Sequence, residues 1–63
     1  MLTSREKEVL ELIKEGYTNG EIAKMLCISA HTSKAHVAAI LHKLNVKNRL
    51  QAALCAQKYL GNL

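Results

Sequence analysis

Sixty-three residues, 49% of them hydrophobic, suffice for one core and no more, near the lower size limit for a chain that folds without disulfides or metal. Trp and Phe are absent, so the core has to come from Leu, Ile, Val, Ala and two Tyr, and no apolar run approaches the length of a membrane span. The net charge of +4 is unevenly spread: all five acids lie at or before Glu21, and every later charge is positive.

With no Pro and no alternating pattern, the apolar spacing is helical throughout, and it predicts an all-α, four-helix bundle-like domain with helices at about 3–16, 19–26, 30–44 and 48–60. Thr3-Ser4-Arg5-Glu6 has the form of a capping box, in which the Thr hydroxyl takes an orphan backbone N–H and the Glu reaches back. Leu2 precedes the cap as a staple. Val9, Leu10, Leu12 and Ile13 give the first helix its buried stripe, and Gly16 is placed to end it.

Thr18-Asn19-Gly20-Glu21 repeats the box and opens a short helix with Ile22, Ala23 and Leu26 facing inward. A three-residue break at Cys27-Ile28-Ser29 follows, with Ile28 as an apolar plug and Ser29 as the next cap. Two helices joined by so tight a turn cross steeply, which is the helix–turn–helix unit whose second helix enters the DNA major groove.

The third helix sorts by angle. Ser33, Val37, Ile40, Leu41 and Leu44 share a core face; His31, Lys34, Ala35, Ala38 and His42 lie opposite, flanked by Thr32, His36 and Lys43. Asn45 suits a left-handed C-cap. The fourth helix carries two apolar stripes, Leu50, Ala53, Leu54 and Gln57 on one and Ala52, Cys55, Ala56 and Tyr59 on the other, enough for one stripe in the core and one against a partner.

Residues 1–23 set five Glu against Arg5, Lys7 and Lys14, a net −2; residues 24–63 carry Lys24, Lys34, Lys43, Lys47, Arg49 and Lys58, a net +6. A solubilising face usually mixes signs, whereas a one-signed half of a small domain fits a phosphate backbone. Cys27 and Cys55 form neither a metal-type pair nor a disulfide framework, and free thiols suit a reducing cytosol. Cys27, His31 and His36 lack standard zinc spacing, so solvent- or phosphate-facing imidazoles are expected. No signal-peptide pattern is present, and the chain reads as a very small complete protein or, on balance, a domain cut from a longer one.

In order and without a gap, Leu2-Thr3-x-Arg5-Glu6-x-Glu8-Val9-Leu10, Gly16-Tyr17-Thr18-Asn19-x-Glu21-Ile22-Ala23, Leu26-x-Ile28-Ser29-x-x-Thr32-x-Lys34-x-His36 and Ile40-x-x-Lys43-Leu44-x-Val46-x-x-Arg49-x-x-Ala52 resemble the LuxR/FixJ (NarL-type) DNA-binding domain. The resemblance covers essentially the whole chain. It implies a single four-helix domain over residues 1–63, with the third helix in the major groove and the fourth mediating dimerisation on DNA. Such domains usually end two-component response regulators or autoinducer-dependent regulators. Two positions depart from the pattern. Ser33 stands where the family nearly always has Val, and its hydroxyl is expected to bond back to the carbonyl four residues earlier. Gly20 stands where Lys or Arg is favoured, which drops a cation but leaves backbone N–H donors open to close approach.

Base reading is assigned to His31, Lys34, Ala35 and Ala38, with Lys34 suited to guanine O6 and N7 and an alanine methyl to a thymine methyl. A face so rich in alanine makes few hydrogen bonds, which shifts specificity toward DNA shape and half-site spacing. Phosphate contacts are assigned to Thr18, Asn19 and Gly20 at a helix N-terminus and to Ser29, Thr32, His36, Lys43 and Lys47 through side chains. Arg49 admits a phosphate contact or an ion pair with a first-helix Glu; the near-constant Arg of the resembling family favours the structural role, since helix N-termini do not favour cations. Leu50, Ala53, Leu54 and Gln57 are the expected dimer stripe.

No paired carboxylates, Gly-rich phosphate loop or oriented nucleophile is present, so no enzyme is expected, and no cofactor or small-molecule ligand. The expected function is sequence-specific double-stranded DNA binding by a cytoplasmic bacterial transcription regulator. Its partners would be duplex DNA, a second copy on that DNA and RNA polymerase. The rivals are a helical protein-interaction module docking on RNA polymerase and a sigma-type promoter-reading domain.

Overall fold

Reciprocal hydrogen bonds decide where the chain first turns helical. The Thr3 hydroxyl accepts from the Glu6 N–H at 3.0 Å while the Glu6 carboxylate accepts from the Thr3 N–H at 2.8 Å, and the Thr18–Glu21 pair repeats this at 3.1 and 2.8 Å. A computed structural model describes residues 1–60 as four helices: α1 (Ser4–Lys14), α2 (Asn19–Leu26), α3 (Ala30–Leu44) and α4 (Arg49–Leu60). Among the described residues there is no strand, and the domain is all-α as its periodicity requires.

Three helices end the same way. After α1, the Tyr17 N–H reaches the Leu12 carbonyl and the Gly16 N–H that of Ile13, with Gly16 at φ 96. After α2 the pair is Ile28 to Ala23 and Cys27 to Lys24, and after α3 it is Val46 to Leu41 and Asn45 to His42. These are Schellman closures, in which one left-handed residue lets the chain cover the last helical carbonyls. Glycine takes that conformation freely, and asparagine with little penalty. Cys27, at φ 58, has neither advantage. α4 starts on Asn48, whose side-chain oxygen accepts from the Gln51 N–H at 2.9 Å, and the Gln51 side chain accepts from the Lys47 N–H at 2.7 Å.

Val9, Leu10 and Ile13 from α1, Ile22 from α2, Val37, Ile40 and Leu44 from α3, and Ala52 and Ala56 from α4 close one core, and Leu2 joins it from outside the first cap. The two alanines let α4 lie close against its neighbours. Burying an Ile such as Ile22 or Ile40 is worth roughly 1.5–3 kcal/mol, so a handful of residues carries this domain. α1 packs on α3 and α4, while α2 packs on α3. The outer face of α3 is thereby left uncovered.

Two buried polar residues join the elements. Ser33, wholly buried, donates its hydroxyl across to the Asn19 carbonyl at 2.8 Å. This replaces the expected bond back to Ser29, and it ties the start of α3 to the first turn of α2. Glu6, also buried, pairs with the Lys43 ammonium at 2.8 Å.

Candidate nucleic-acid interface

The sorting of α3 by angle holds in three dimensions. Ser33, Val37, Ile40 and Leu44 are buried, whereas His31, Lys34, Ala35, Ala38 and His42 are exposed. Thr32 and His36 are half-buried on the flanks. α3 contains no acidic residue, so its open face offers imidazole, ammonium and methyl groups only.

At the mouth of this face lies the start of α2. The Glu21 N–H is taken by the Thr18 hydroxyl and the Ile22 N–H by the Thr18 carbonyl, so the amides of Asn19 and Gly20 are the first-turn donors that the helix itself does not use. A side chain at Gly20 would meet nothing nearer than the Thr18 hydroxyl at 3.9 Å, so the position is open to an approaching oxyanion. At the start of α3 the exposed Ser29 hydroxyl caps the helix, accepting from the Thr32 N–H at 3.0 Å and donating to the Thr32 hydroxyl at 2.9 Å.

Several assigned residues have partners inside the fold. Lys43 donates to Glu6 and, at 3.4 Å, to the Met1 carbonyl, so its cation is held against α1 rather than extended from the flank of α3. That pairing, together with the Thr3 N–H, holds the Glu6 carboxyl below the usual carboxylate range. Lys47 is exposed. Arg49 has the structural role favoured for it, but its partners are not first-helix acids: it donates to the Tyr17 carbonyl and, at 2.7 Å, to the Asn19 side-chain oxygen. These acceptors lie thirty or more positions away in sequence and carry no charge, so no pattern of acids and bases points to them.

On α4, Leu50 and Leu54 stand 66% and 78% exposed, while Ala52 and Ala56 fill the core. Gln57 is exposed, whereas Ala53 is half-buried and packs against the core, so the outward stripe is carried by Leu50, Leu54 and Gln57. Among the described residues no three His, Cys, Asp or Glu side chains gather as a metal site, and no helix is long and apolar enough to cross a membrane. Cys27 and Cys55 are free thiols.

The architecture therefore presents an acid-free helix face, an open helix N-terminus beside it and an apolar stripe on the last helix. Residues 1–56 match the family model of bacterial regulatory proteins of the luxR family. The chain belongs to the LuxR family. It is 55% identical over 58 residues, 92% of its length, to an uncharacterized transcriptional regulatory protein, YhcZ, of Bacillus subtilis. It is 52% identical over 56 residues, 89% of its length, to the response regulator protein VraR of Staphylococcus aureus and to that of Staphylococcus saprophyticus. The chain spans about a quarter of the length of these curated relatives, 27% in each case. As a LuxR-type helix–turn–helix domain it belongs to DNA-binding transcription regulation, with α2 and α3 forming the helix–turn–helix.

Proposed function

We propose that this LuxR-type domain binds specific sites on duplex DNA with α3 in the major groove, as the output module of a cytoplasmic bacterial transcription regulator. The observation that carries the reading is the outer face of α3, where His31, Lys34, Ala35 and Ala38 are all exposed and no acid is present. Lys34 reads guanine and the alanine methyls pack against thymine methyls. The amides of Asn19 and Gly20 and the side chains of Thr18, Ser29, Thr32, His36 and Lys47 hold phosphates on either side and fix the register. Lys43 serves the fold first, through Glu6, and joins the phosphate set only by giving up that pair.

Leu50 and Leu54, with Gln57, pair two copies on DNA so that two α3 helices meet successive half-sites. The pairing is supported by the exposure of two leucines on a helix whose core side is already filled by alanines. An upstream domain controls whether these surfaces are available, in keeping with relatives more than three times as long and named as response regulators. RNA polymerase is the partner through which the bound dimer acts.

Titration of the 63-residue chain against duplex DNA at several salt concentrations tests the reading. Affinity should fall with log salt at a slope of about −0.9 per phosphate neutralised. Affinity independent of salt, or no binding to any duplex, would instead favour a protein-interaction module.

A further inference from the structure

The first turn of α2 is held from two sides by one residue. The Asn19 carbonyl accepts from Ser33 of α3 at 2.8 Å, and the Asn19 side-chain oxygen accepts from Arg49 of α4 at 2.7 Å. Arg49 also holds the Tyr17 carbonyl, just ahead of the Thr18 cap. α2 and α4 share no packed interface comparable to those of α2 with α3 or α4 with α1. The Arg49 side chain is thus what links the last helix to the start of the second.

A guanidinium only donates, so the end of the Asn19 carboxamide that faces Arg49 is its oxygen. The amino end is then left as a donor on the same first turn whose Asn19 and Gly20 amides the helix does not use. We propose that Arg49 is a positioning residue for DNA binding, one that orients the Asn19 carboxamide so that its amino group joins the phosphate contact. Ser33 holds the same turn on α3. The inference rests on the proposed DNA-binding reading and adds to it a role for Arg49 that involves no contact with DNA. It also means that a residue of the pairing helix governs the grip of each single domain on its half-site.

Binding to single half-site duplexes, which removes any contribution from pairing, tests this. Duplexes would be chosen by selection with the wild-type 63-residue chain, and folding of each variant checked by circular dichroism. Arg49→Lys, which keeps the charge but cannot reach both acceptors in a fixed fork, should lose about tenfold in half-site affinity at an unchanged log–log salt slope, since no cation leaves a phosphate. In an Asn19→Ala background the same substitution should produce no further loss. Asn19→Asp keeps an acceptor for Arg49 but loses the donor; it should melt no lower than wild type yet bind about tenfold more weakly. Half-site affinity of folded Arg49→Lys within twofold of wild type, losses that multiply in the double variant, or wild-type affinity of Asn19→Asp would each overturn the proposal. Should Arg49→Lys not fold, Arg49→Gln in the wild-type and Asn19→Ala backgrounds decides instead, with the same loss expected in the first and none in the second. Failure of the wild-type chain to bind any duplex would instead remove the DNA-binding reading itself, and the proposal with it.

Discussion

The Lys43 ammonium lies 2.8 Å from the Glu6 carboxylate, so the last turn of α3 is pinned to the first turn of α1. Glu6 serves twice, since the same oxygen accepts the Thr3 N–H and completes the first capping box. The pair fixes the height of α3 on the rest of the domain at the end farther from α2.

This pair makes stability pH-dependent in a defined direction. The Glu6 carboxyl is held below its ordinary value, chiefly by the hydrogen bond from Lys43, so the folded state favours the charged form. Its contribution is complete above the unfolded pKa of about 4.3 and is lost as pH falls through the lower folded value. Thermal melts from about pH 6 to about pH 3 should show a falling midpoint for wild type. In Glu6→Gln the midpoint should start lower and fall less steeply. Parallel curves for the two proteins would contradict the assignment.

Gly20 sits inside α2 with open space where a side chain would go. Replacing it by Lys removes the helix penalty of glycine, a gain of about 0.5–1 kcal/mol, reduced by a few tenths because the cation lies near a helix N-terminus. Gly20→Lys should therefore melt slightly higher than wild type. It should also bind duplex DNA more tightly, with a salt slope steeper by about 0.9. Calorimetry and fluorescence anisotropy check the two halves separately.

Cys27 holds a left-handed conformation at φ 58 in the turn between α2 and α3, and its side chain is exposed. Little packing is lost by removing it, and the left-handed strain is relieved by glycine. Cys27→Gly should stabilise the domain by about 0.5 kcal/mol once the added freedom of the unfolded chain is counted. Chemical denaturation measures this directly, with a raised midpoint and an unchanged slope expected.

The exposed α4 leucines separate pairing from folding. Leu54→Glu changes a residue that is 78% exposed, so stability should stay within about 0.5 kcal/mol of wild type. Affinity for a single half-site should hold, while cooperative binding to a two-half-site duplex should be lost. An unfolded variant would place Leu54 in the core instead.

Local devices were legible in the sequence and remote ones were not. Both capping boxes, the Ser29 cap, the Gly16 and Asn45 helix ends and the core face of α3 depend on residues a few positions apart, and each stands where its pattern puts it. Arg49 could be assigned a structural role but not its acceptors, because a backbone carbonyl and a neutral side chain thirty or more residues away leave no mark in charge or spacing. For Ser33 the nearest carbonyl in its own helix looked sufficient, yet α2 crosses close enough to present the Asn19 carbonyl. The left-handed Cys27 was hidden by its residue type. Lys43 looked like a flank cation because its partner, Glu6, stands 37 positions earlier.

In the proposed reading of base edges by α3, the exposed Lys34 is the long donor on the outer face. Sites selected from random duplexes by wild type and by Lys34→Ala test it together. Wild type should show a strong guanine preference at one position of each half-site, and Lys34→Ala should lose that preference alone, with about 1–3 kcal/mol of discrimination gone. Identical selected sites for the two proteins, with affinity lowered uniformly, would make Lys34 a phosphate contact and contradict base reading by α3.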